Sequence, residues 1–74
     1  MGERCTVYVA LLDEGTHVWR PVAAERISGE LFRLAGPVPR GERWEYQPGE
    51  LVQCRERLFS GGERGLVAVE RGPA

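Results

Sequence analysis

The chain has 74 residues, 42% of them hydrophobic and 28% charged, with a net charge of −1 at pH 7 and an isoelectric point near 5.8. That is room for one domain spanning residues 1–74 with a thin core, since so short a chain buries only roughly 60% of its unfolded surface. The composition excludes a disordered chain, and the balanced charge gives no overall field toward nucleic acid or anionic lipid.

No apolar run approaches the ~18 residues of a membrane span, and residues 1–12 lack the layout of a signal peptide. A cytoplasmic protein without a membrane partner is therefore expected. All ten basic residues are arginine, and neither lysine nor asparagine occurs; this reads as the bias of a GC-rich bacterial genome rather than a phosphate-binding device. Cys5 and Cys54 form no close pair and read as two reduced, buried thiols. His17 is the only histidine and has no partner at zinc-ligand spacing, so neither a metal nor a cofactor is expected.

Ten glycines and five prolines punctuate short apolar runs, and no window sustains a helical repeat. The first run, "RCTVYVALL", places Cys5, Val7, Val9 and Leu11 on one wholly apolar face by the two-residue period. Thr6, Tyr8, Ala10 and Leu12 form a half-apolar second face. Asp13, Glu14 and Gly15 then turn the chain. "HVWRPVAAERI" puts Val18, Val22 and Ala24 with Arg20 on one side, and Trp19, Pro21 and Ala23 with His17 on the other. Proline has no N–H for a ladder, so Pro21 predicts a bulge or an unpaired edge. A bulge there would turn Trp19 and Val22 both inward and leave Arg20 in solvent.

"ISGELFRL" predicts a hairpin turning at Ser28–Gly29, with Phe32 and Leu34 on one face. "AGPVPRGE" is the longest loop. "RWEYQ" predicts a short strand with Trp44 and Tyr46 on one face. "LVQCRERLF" carries Val52, Cys54 and Leu58 on one face with Glu56. After the glycine-rich "SGGERG", "LVAVE" closes the fold. The expected class is all-β: a small barrel of five to six short antiparallel strands, its core within about residues 4–71, and a frayed tail at 72–74. A two-sheet sandwich needs about 100 residues, and barrel closure removes exposed edges.

Two stretches carry a resemblance. "VWRPVAAERISGELFRL" resembles the strand–hairpin–strand of Tudor-type barrels, and "PGELVQC" resembles the Pro-Gly entry into an apolar strand of KOW barrels. Both belong to the SH3-like small barrels. The "VYV-LLDEG--VWRPV" opening and "WE--PGE-V-C" middle are also similar to a group of very small bacterial proteins, a likeness that brings no activity with it. The resemblance implies a binding module.

Catalytic chemistry lacks its constellation: there is one His, one Asp, and serines only at turn positions 28 and 60. The adjacent acids Asp13–Glu14 read as solvated turn residues, and "SGGERG" lacks the lysine and hydroxyl of a phosphate loop. The remaining candidates are Trp19, Arg20, Trp44 and Tyr46, because Trp, Tyr and Arg are the residues most enriched at binding hot spots. They point to a non-enzymatic module for a protein partner, with pairing into a weak homodimer as another use of the same face. The alternative is an RNA- or single-stranded-DNA-binding module with aromatic platforms and arginine–phosphate contacts, against which the acidic isoelectric point counts.

Overall fold

The structure is a computed structural model that describes residues 3–12, 18–59 and 61–72. The expected turn at Asp13–Gly15, His17, Ser60 and the end of the tail lie outside the described residues. Five strands follow one another: β1 (Glu3–Ala10), β2 (Trp19–Ser28), β3 (Leu31–Leu34), β4 (Leu51–Leu58) and β5 (Arg64–Arg71). No helix occurs among the described residues, so none there is long and apolar enough to cross a membrane. The strands form where β-branched and aromatic residues alternate, and they stop at Gly- or Pro-bearing turns. The β2–β3 turn is Gly29–Glu30, with Gly29 at φ +49°, a left-handed conformation that a side chain disfavours.

Each strand pairs with its sequence neighbour, and the ring closes between β1 and β5. The chain-neighbour pairs are antiparallel. The closing pair is parallel, joining Val7 to Leu66 and Tyr8 to Val67. An odd number of up-and-down strands requires this, because the first and the last then run the same way. The all-β barrel is the expected one, with a single parallel seam.

Inside lie Val7 and Val9 of β1, Val22 and Ala24 of β2, Phe32 and Leu34 of β3, and Val52 and Cys54 of β4. Each pair is two residues apart, as the strand period demands. Cys54 is fully buried, and burial pushes its thiol up to about 11. Cys5 is half-buried, and both cysteines are free thiols. Leu58, expected inside, is 63% exposed. The β3–β4 pairing stops at Gln53, so the far end of β4 runs past the wall that would have covered it.

The structure departs from expectation at two further places. "RWEYQ" is not a strand: Trp44 makes one isolated bridge to Leu11. And β2 does not bulge at Pro21. The β1–β2 register runs unbroken from Glu3–Arg26 to Ala10–Trp19, while the register shifts lie at Arg26–Ser28 and Gln53–Cys54. Pro21 is instead an edge residue on one side. The Ala23 carbonyl points toward β3, accepting from the Ala35 N–H at 3.0 Å. Two residues earlier the Pro21 nitrogen points the same way, beyond the last β2–β3 pair at Ala24–Leu34. With no bulge, period two keeps Trp19 on the face opposite Val22. Trp19 is therefore outside the barrel, not in its core.

Candidate functional site

Trp44, Tyr46 and Arg20 belong to the closure of one barrel end. The 35–50 segment folds back over that end and continues the short β1–β5 seam: the Glu45 N–H donates to the Ala10 carbonyl at 2.9 Å, and the Leu12 N–H to that of Arg43 at 2.7 Å. This registers Trp44 and Tyr46 inward, 3% and 6% exposed. Arg20 occupies an inward position at the end of β2. Its guanidinium grips the Glu42 carboxylate with two N–H groups, Nε at 3.1 Å from Oε1. The Trp44 indole Nε1 donates to the same Oε1 at 3.0 Å. These bonds, Arg20 first and then Trp44, hold the Glu42 carboxyl below the usual carboxylate range. A second clasp lies nearby. The Gln47 N–H donates to Glu50 at 2.8 Å, and Arg71 Nε donates to its other oxygen at 3.2 Å while lying over the Tyr46 ring. The Gln47 hydrogen bond first, then Arg71, depresses the Glu50 pKa.

The outer face is built differently. Alternation aims Arg4, Thr6, Tyr8 and Ala10 of β1, and Trp19, Pro21, Ala23 and Glu25 of β2, away from the core. The β4–β5 hairpin brings Phe59 against this face, with ring centroids 5.0 Å from Tyr8 and 6.3 Å from Trp19. The Arg57 guanidinium lies 5.5 Å from the Trp19 ring centroid. All three rings are half-buried.

Gly65 is what lets them settle. A methyl group on its Cα would stand 2.7 Å from Tyr8 Cε1 and 2.9 Å from Phe59 Cε2. Gly65 therefore faces this cluster, and Val67, two residues on and paired with Tyr8, faces it too. Across β4, Arg57 pairs with Gly65 and Arg55 with Val67, which puts both arginines on the same face. Beside the rings, β1 and β2 form an open depression of about 440 Å³ lined by Arg4, Cys5, Thr6, Pro21, Val22 and Ala23. Apart from Arg4, its outward side chains are small, with Thr6 paired to Ala23 and Pro21 paired to Tyr8.

Of the four residues singled out from the sequence, Arg20, Trp44 and Tyr46 are thus brought together at one barrel end, and Trp19 lies apart from them. Trp44 and Tyr46 are packed in the core, Arg20 is clamped to Glu42, and Trp19 alone joins an accessible cluster. Tyr8 and Phe59 were missed as site residues. For Tyr8 the signal was present, in the half-apolar second face of the first run. Phe59 had none, since its position depends on where a glycine-rich hairpin folds. Among the described residues no group of three or more His, Cys, Asp or Glu side chains is placed to hold a metal ion. The arrangement offers an aromatic ridge beside a small-residue trough, with arginines along the rim.

The chain matches no known protein family, no curated protein and no solved structure.

Proposed function

We propose that the protein is a small non-enzymatic binding module of SH3-like type, and that its partner is a protein. The observation that carries this reading is the ring cluster of Tyr8, Trp19 and Phe59 on the outer face, separate from the core aromatics and joined by Arg57. Trp, Tyr and Arg with water-excluding neighbours are the usual makings of a binding hot spot. A ridge beside a trough suits an extended segment, whose side chains fit alternately against rings and into the depression.

Nucleic acid fits the same rings less well. Tyr8 and Trp19 meet Phe59 at 59° and 66°, whereas base stacking uses open ring faces. One face of Trp19 is also taken by Arg57.

The test is retention from cell lysate on immobilised wild-type protein and on Trp19→Ala. The expected result is a nuclease-resistant polypeptide held by the wild type and lost by the variant. Equal retention on both, or release of the bound material by nuclease, contradicts the reading.

A further inference from the structure

Strand arginines on this protein fall into two groups. Arg20, Arg26, Arg33, Arg64 and Arg71 each have a carboxylate partner: Glu42, Glu3, Glu25, Glu56 and Glu50 respectively. Arg4, Arg55 and Arg57 have no such partner among the described residues. These three are exposed, and all sit at outward positions around the ring cluster and its trough. Arg4 lines the trough; Arg55 and Arg57 pair with Val67 and Gly65 at the other rim. The carboxylates at outward positions of β1, β2, β4 and β5 are Glu25, engaged by Arg33 at 3.6 Å, and Glu70, which pairs with Gln53 at the end of β5 away from Gly65 and the rings.

In a chain whose 11 acidic residues outnumber its 10 basic ones, three strand arginines without a carboxylate partner among the described residues, set around one ring cluster, give this face a positive balance that the protein as a whole lacks. A complementary surface steers and registers a partner of opposite sign.

We infer that this face binds an acidic peptide segment, in which an apolar residue seats against Tyr8, Trp19 and Phe59 while flanking Asp or Glu side chains meet Arg57 and Arg55 on one side and Arg4 on the other. The inference rests on the protein-binding reading above and supplies the chemistry of the partner. Guanidinium groups suit carboxylates because their fork of N–H donors matches the two oxygens.

The test is selection of a random dodecapeptide display library on the full chain, run in parallel on Trp19→Ala and on the double variant R55E/R57E. Wild-type selections should enrich sequences with Asp or Glu flanking an apolar residue. The double variant should lose those sequences, binding them at least about tenfold more weakly, as reversed charge at a contact does, and should enrich Lys or Arg instead. Peptides that depend on Trp19 but show no acidic bias would overturn the inference and leave the binding module standing. If no peptide is enriched over Trp19→Ala, both readings fail. Salt-sensitive binding of a labelled uridine oligonucleotide in that case would assign the face to nucleic acid.

Discussion

Two aromatic clusters sit within one small barrel, and they are built on opposite terms. Trp44 and Tyr46 are inside: nearly buried, with the Trp44 N–H bonded to Glu42 and Glu42 clamped by Arg20. Tyr8, Trp19 and Phe59 are outside, half-buried and held mainly by one another, by Arg57 and by the absence of a side chain at Gly65. The difference is informative because both clusters use the same residue types. What separates a structural aromatic from an accessible one here is the polar support behind it. The inner indole has a charge-anchored acceptor; the outer rings lean on one another and on Arg57.

The sharpest way to break the comparison is to truncate the inner ring. Trp44→Ala should cost about 3–5 kcal/mol, as loss of a buried aromatic does. A domain this small has about 5 kcal/mol to lose, so urea titration should find the variant largely unfolded. If it melts like the wild type, the inner cluster is not the packing element described.

Gly65→Ala tests the outer cluster from beneath. Elsewhere in a strand such a change tends to stabilise, but here the new methyl meets the Tyr8 and Phe59 rings. A loss of about 1–3 kcal/mol is expected, the usual range for overpacking, together with changed Trp19 fluorescence. A gain in stability would mean the rings do not rest on this glycine.

Trp19→Ala should cost less, about 1–2 kcal/mol, because the ring is half-buried and gives up edge contacts rather than a core position. The contrast with Trp44→Ala in the same thermal melts is the readout. Equal losses for the two would erase the distinction.

Acid should loosen the inner cluster selectively. Glu42 is held below its ordinary pKa by Arg20 and Trp44, and Glu50 by Gln47 and Arg71. A carboxyl whose folded pKa is depressed contributes stability above its unfolded value, and that contribution fades as pH falls through the folded one. The melting temperature should therefore decline below about pH 4.3, the ordinary glutamate value, and Glu42→Gln should flatten the decline. An unchanged acid slope in that variant would show that the clamp does not support the fold.

Much of the barrel was legible in the sequence because it is local. Period two places Val7, Val9, Phe32, Leu34, Val52 and Cys54 inward from their strands alone, and turn residues mark where those strands stop. The candidate site was less legible because it is assembled from distant pieces. Arg20 meets Glu42 across 22 residues, and that contact turns an apparent binding arginine into an end clasp. "RWEYQ" has the alternation of a strand but spends it closing a barrel end through a single bridge. Pro21 allowed either a bulge or an edge, and only the reach of β3 decides between them. Phe59 reaches Tyr8 and Trp19 because β4 outruns β3, a matter of relative strand length that no short window contains.

The most direct test of the central claim uses the two indole N–H resonances in a ¹H–¹⁵N spectrum. On titration with a peptide selected on the wild-type face, the Trp19 indole signal should shift together with the amides of Tyr8, Arg57, Phe59 and Gly65. The Trp44 signal, fixed by its bond to Glu42, should stay in place. Movement of Trp44 with Trp19 unmoved would contradict the assignment of packing to the inner cluster and recognition to the outer one.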